Sequence, residues 1–431
     1  MKHLIASVFA ALALGAVAAP EFRGIIEGYY GRAYDNEGRK SLYELMKSVD
    51  MNTYVYGPKD DPYHHKKWRE LYPEKEAADL KATAEEAAKN GIRFFWAIHL
   101  GDGFDGSEVD WQQLFAKLES VYALGIRSFG AFFDDFGAND PHSHATIVNR
   151  IMKEFVDKKG DINGFVMCPV YYHTTGDEDY TKTIGKELDP RVMVFWTGYD
   201  IMSNIGQTEI DTYASHLGRK PFIWWNWPVN DYCRAQLPLG RAYGITSADC
   251  VGFALNPMEL CEASKTAVLQ VADMIRDPAA YDPGQSLTNA YTRLYGELAP
   301  DLLTFAEYNS ETYPNEHKFR RIEAPAFVEL IERERFGSRM RQELDRLGAA
   351  CERLEKALPE KQPKLWHEIG GWVRTLRADV RIANALLDLR EARSDRRKAV
   401  QDASREWHVR PRPANGSVGQ LIRFLEDDIL R

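Results

Sequence analysis

Between residues 24 and 256 the chain alternates two patterns. Short runs of β-branched and aromatic residues begin at Gly24, Asn52, Arg93, Phe129, Gly164, Val192, Phe222 and Gly252. Most are separated by longer stretches, such as 38–48 and 77–90, whose apolar residues recur three and four apart. Alternating strand and helix signals predict βαβ units and a parallel sheet. The runs are nearly continuously apolar, as in strands covered on both faces. Eight such units in about 250 residues predict an α/β fold, a (β/α)8 barrel. An open doubly wound sheet is the alternative, but Gly28-Tyr29-Tyr30-Gly31 is not the glycine-rich phosphate loop that fold usually carries after its first strand.

Past residue 290 the β-rich runs stop. Ile369, Trp372, Val373, Leu376, Val380, Ala383 and Leu387 place an apolar stripe on one face of a long helix. With the stretch 327–358 this predicts a helical bundle domain over 290–431, following a barrel over 19–285. Arg410-Pro411-Arg412-Pro413 reads as a loop before a last short helix. Residues 1–18 carry a basic start, an apolar stretch and Ala16-Val17-Ala18, the pattern of a secretory signal peptide. Export, to the periplasm or outside the cell, is therefore expected, and no later segment is apolar enough to span a membrane.

Composition narrows the chemistry. The net charge of −9 argues against a general nucleic-acid binder. Five scattered cysteines show no metal spacing and suggest one disulfide at most. Ten Trp and twenty-one Tyr exceed what a core needs, and some cluster, as in Trp224-Trp225-Asn226-Trp227.

In a (β/α)8 barrel the site lies at the C-terminal ends of the strands. There the chain places Lys59-Asp60-Asp61, His99, Asp134-Asp135, Tyr171-Tyr172, Thr197, Asn226 with Asp231, and Asn256. No zinc site, nucleophile elbow or cofactor motif is present. Carboxylates, amides, a lysine and aromatic faces suit a sugar. Adjacent Asp134 and Asp135 do not obviously flank a glycosidic bond from opposite sides, as two-carboxylate hydrolysis requires. The difficulty disappears if a 2-acetamido group on the substrate acts as nucleophile, one Asp orienting it and the other protonating the leaving oxygen.

The sequence resembles family 84 of the glycoside hydrolases, the β-N-acetylglucosaminidases that include O-GlcNAcases. The resemblance is carried by G-I-I-E-G-Y-Y-G-R from Gly24, N-T-Y-V-Y-G-P-K-D-D-P-Y from Asn52 and S-F-G-A-F-F-D-D from Ser128. It continues with C-P-V-Y-Y from Cys168, W-T-G from Trp196, I-W-W-N-W-P-V-N-D-Y from Ile223 and F-A-L-N-P from Phe253. It implies an exo-acting, retaining enzyme that works through an oxazoline intermediate. Asp134 would polarise the acetamide and Asp135 would be general acid, then base. Tyr172 would assist cyclisation, and Trp224 would wall the acetyl pocket. Asn226, Asp231, Asn256 and Lys59 would bind the acetamide neighbourhood and hydroxyls, and Gly24 would contribute a backbone carbonyl. No cofactor is implied. The partners implied are N-acetylglucosamine-containing glycans or glycoproteins. Apart from the resemblance, the apolar stripe makes the helical domain a candidate homodimer surface, and equally a candidate to pack on the barrel. Val170-Tyr171 and Tyr199 depart from the family pattern without removing a catalytic group. Two other readings stay open: a glycan-binding protein on an inactive barrel, and a conventional retaining hydrolase with Glu27 or Asp231 as nucleophile.

Overall fold

The computed structural model describes residues 19–100, 103–135, 140–309, 311–313, 320–322, 337–392 and 417–430. The signal-peptide reading and the 410–413 loop therefore lie outside the described residues. Eight parallel strands close into a barrel in sequence order. They are β1 (Phe22–Glu27), β2 (Thr53–Tyr56), β3 (Arg93–His99), β4 (Ser128–Phe132), β5 (Gly164–Cys168), β6 (Met193–Trp196), β7 (Phe222–Trp225) and β8 (Gly252–Leu255). Closure comes from β1 against β8, with Phe22 opposite Gly252 and Ile25 opposite Leu255.

The two faces of each strand meet different cores. Inside the barrel lie Phe22, Ile26, Val55, Phe95, Ala97, Phe132, Val166, Cys168, Phe195, Phe222, Trp224 and Ala254. Their alternates, such as Ile25, Tyr54, Trp96, Phe129 and Met167, pack outward under the helices. This is the period-two pleat of a strand buried on both sides. Helix starts match their caps: Asp35 accepts from Gly38 N at 2.7 Å ahead of the Asn36–Lys47 helix.

The helices Pro283–Tyr295, Ala299–Glu307, Ser338–Lys361, Pro363–Ala392 and Ser417–Leu430 build a second core. Ile369, Val373, Val380, Ala383 and Leu387 are buried in it, with Trp372 and Leu376 half-buried beside them. That core also takes in Leu237, Leu239 and Met258 from loops of the barrel. A short antiparallel pair, Glu311–Tyr313 with Arg320–Ile322, departs from the all-helical expectation, three-residue strands being too short to show an alternation. The five cysteines are all free. No helix among the described residues is long and apolar enough to cross a membrane.

Candidate active site

The inward face of the barrel does not end where the strands end. Counting by twos from inward residues leads to Gly28 after Ile26, Lys59 after Val55, His99 after Ala97 and Asp134 after Phe132. The same count leads to Tyr172 after Cys168, Asn226 after Trp224 and Asn256 after Ala254. A pocket of about 370 Å³ opens above the barrel core and is lined by Gly28, Lys59, Asp134, Asp135, Tyr172, Trp224, Asn226, Asp231 and Asn256. Its floor is solid, because Phe132, Phe195 and Trp224 pack ring against ring at 5.5–5.9 Å.

Asp134 is buried and pairs with Lys59, Nζ to Oδ2 at 2.5 Å. The ring Nε2 of buried His99 donates to the backbone carbonyl of Asp134 at 2.9 Å and lies 3.4 Å from Oδ1. That oxygen, Oδ1, has no hydrogen-bond partner in the protein. Burial pushes the Asp134 carboxyl up, but Lys59 and His99 together hold it well below the usual carboxylate range. Burial, then His99 and Lys59, press His65 down to about 4, and burial first also lowers His64. Both are neutral at physiological pH, so the charge of Lys59 is not shared with them.

Asp135 has φ of 61°, in the left-handed region that Asp tolerates better than most residues. This reversal takes its carboxylate out of strand alternation and onto the rim. There Tyr30 OH donates to Oδ2 at 2.7 Å and Tyr172 OH to Oδ1 at 3.0 Å. Burial first, then Asp135, raises both phenols well above their ordinary value, so both remain donors.

The amides form a wall. Trp224 Nε1 and Asn256 Nδ2 both donate to Asn226 Oδ1, at 2.8 and 3.0 Å, while Asn226 Nδ2 donates to Ile201 O at 2.9 Å. Asn226 thus fixes the indole of Trp224 and the amide of Asn256. Asp231 accepts from Tyr30 N at 2.7 Å, and burial raises its carboxyl.

Gly24 is the one residue of the predicted set not brought to the pocket. It sits inside β1 beside Thr53 and Ala254, where a Cβ would fall 1.6 Å from Thr53 O. The glycine at the pocket is Gly28, whose missing Cβ makes room for Trp224; a methyl there would lie 2.4 Å from the indole. Strand parity points to Gly28, and the same motif holds Tyr30. Val229 and Tyr232, from the motif that begins at Ile223, and Ile201 and Met202, from a loop with no sequence signal, also line the pocket. Of the strand-end residues to which the resemblance gives no role, Thr197 lines the pocket and His99 braces Asp134 from below.

Glu27 is buried away from the pocket. Its carboxylate takes both Arg39 Nε and Nη2 at 2.9 Å, Tyr54 OH at 2.5 Å and Tyr34 N at 2.9 Å. Every oxygen is committed to structure, which removes Glu27 as a nucleophile. Among the described residues no group of three or more His, Cys, Asp or Glu could hold a metal ion.

A closed parallel barrel whose C-terminal rim gathers two carboxylates, an amide wall and aromatic faces is the active-site arrangement of a (β/α)8-barrel enzyme. The beta-N-acetylglucosaminidase family profile matches residues 23–307. Protein O-GlcNAcase of Rattus norvegicus and that of Mus musculus are each 32% identical to this chain over 270 residues, 58% of this chain and 29% of theirs. The chain thus spans under a third of the length of these curated relatives. A solved mutant of the Thermobaculum terrenum O-GlcNAc hydrolase superposes with a TM-score of 0.84 at 25% identity, over 96% of this chain and 94% of that one. The structure of CpGH84B gives a TM-score of 0.82 at 26% identity, over 94% and 77%. The chain belongs to the beta-N-acetylglucosaminidase family, family 84 of the glycoside hydrolases.

Proposed function

We propose that this protein is an exo-acting β-N-acetylglucosaminidase that hydrolyses with retention, the 2-acetamido group of its substrate serving as nucleophile. The observation that carries the reading is the state of Asp134: buried, held ionised by Lys59 and His99, and lining the pocket, with the His99 Nε2 near Oδ1, at 3.4 Å, already donating to the backbone carbonyl. A buried acceptor without a donor is costly, so a substrate N–H there is a gain in the complex.

In this mechanism Asp134 Oδ1 accepts the acetamide N–H, and the amide oxygen attacks the anomeric carbon. Asp135 protonates the leaving oxygen as the glycosidic bond breaks, giving an oxazoline. Asp135 then takes a proton from water, which opens the oxazoline from the opposite face, and two inversions give retention. The tyrosines Tyr30 and Tyr172 keep the Asp135 carboxylate aimed. Trp224 closes the space around the acetyl methyl, while Asp231 and Asn256 are placed for hydroxyls. The blind floor of the pocket favours a terminal sugar over an internal one. The substrate class is a glycan or glycoprotein ending in β-linked N-acetylglucosamine, met after export if residues 1–18 act as a leader.

The test is hydrolysis of a nitrophenyl N-acetyl-β-glucosaminide with a GlcNAc-thiazoline, a mimic of the cyclised intermediate, as inhibitor. Strong competitive inhibition is expected, with Asp134→Asn nearly inactive. Turnover insensitive to the thiazoline would leave a glycosidase without the oxazoline route.

A further inference from the structure

The loop after β7 belongs to two cores at once. Its first part, with Val229, Asp231 and Tyr232, lines the pocket. Its last part, with Leu237 and Leu239, is buried in the helical core, where Leu239 O accepts from Tyr291 OH at 3.0 Å. Bonds within the loop make it one compact unit. Asn230 Nδ2 donates to Gln236 O at 2.7 Å, Cys233 N to Asn230 O at 2.9 Å and Gln236 N to Cys233 O at 2.8 Å. Near the centre of that unit, the carbonyl of Ala235 accepts the indole N–H of Trp372 at 3.1 Å. Trp372 lies on the Pro363–Ala392 helix, half-buried against the helical core.

What the loop holds reaches the catalytic pair. Asp231 accepts from Tyr30 N, and Arg234 Nη2 donates to Tyr30 O at 3.1 Å. The Tyr30 hydroxyl in turn donates to Asp135. A shift of the loop therefore moves Asp231 directly and Asp135 through one tyrosine.

We propose that Trp372, a residue of the helical region, is a positioning residue of the active site: by clamping Ala235 it holds the 229–237 loop so that Asp231 and Tyr30 keep their places at the rim. The helical region is then a working wall of the site and not an appendage to it. The catalytic consequence rests on the function proposed above, whereas the mechanical clamp does not.

Trp372→Phe keeps an aromatic ring and removes the N–H. Amide hydrogen exchange over residues 229–237 is expected to quicken about tenfold, the scale of one lost hydrogen bond. The kcat/KM should fall by about tenfold, mostly in KM. In an Asp231→Asn background the same substitution should cost clearly less than in the wild type, the remaining loss passing through Arg234 and Tyr30 to Asp135. Trp372→His, which retains a ring N–H, should recover part of the loss. Trp366→Phe, on the same helix, should add independently to Asp231→Asn and leave the exchange of 229–237 unchanged. Unchanged exchange in Trp372→Phe would overturn the clamp. Full loss persisting in the Asp231→Asn background would overturn the positioning role. A wild-type protein without turnover would count against the functional reading, with the exchange result still deciding the clamp.

Discussion

Lys59 and Asp134 face each other with side chains only 4% and 7% exposed. Removing one partner of such a pair leaves a buried charge uncompensated, which costs about 3–5 kcal/mol. Lys59→Met is therefore expected to lower the urea midpoint strongly, and a midpoint within error of wild type would contradict a buried ion pair. The folded Asp134 carboxyl lies below its unfolded value, so its contribution is fully present above roughly pH 4 and is lost as pH falls further. His99 helps to hold that carboxyl down. His99→Phe should thus move the acid limb of the kcat/KM profile to higher pH, and His99→Asn should move it less. The two aspartates should separate by leaving group. Asp135→Ala is expected to lose about 10²–10⁴-fold on poor leaving groups and far less on nitrophenol, whereas Asp134→Ala loses activity on all. Equal losses across leaving groups for Asp135→Ala would refute its assignment as the acid.

Strand ends show why most of the site was legible from the chain. Once the period of two is anchored on Ile26, Val55, Phe132, Trp224 and Ala254, the residues two or four further on face the mouth of the barrel. The same rule separates Gly28 from Gly24, both inward by parity but at different heights. Gly28→Ala should displace Trp224 and reduce kcat/KM by at least about tenfold with a modest change in melting temperature, since a core-sized clash typically costs about 1–3 kcal/mol. What parity could not reveal was conformation beyond the strands. The left-handed φ of Asp135 and the inward turn of Ile201 and Tyr232 are set by loop contacts distant in sequence. Asn226 fits a sugar ligand by residue type, and only its partners Trp224, Asn256 and Ile201 reveal how much of it is structural.

Across the whole molecule, the barrel and the helices are joined by more than apolar contact. Glu368 accepts from Glu262 N at 3.0 Å and Ala263 N at 2.9 Å, capping the Cys261–Arg276 helix that follows β8. Burial outweighs those two donors and pushes its carboxyl up to about 7. An acid raised on folding binds its proton more tightly in the folded state, so stability falls as pH rises from roughly 4.5 towards 7. Glu368→Gln should flatten the melting temperature over that window relative to wild type, and an identical slope would show that another group titrates there.

The family profile stops at residue 307, while Leu237, Leu239, Met258 and Tyr291 lie in a core completed by Leu344, Leu347, Ile369, Val373 and Leu421. What is inherited as a unit and what folds as a unit are different lengths of chain. A gene trimmed to the recognisable segment would encode the whole candidate site and strip the later helices from the apolar side chains, Leu237, Leu239, Met258 and Tyr291 among them, that those helices cover. Such a fragment is expected to aggregate, and extending it through the last helix should restore solubility.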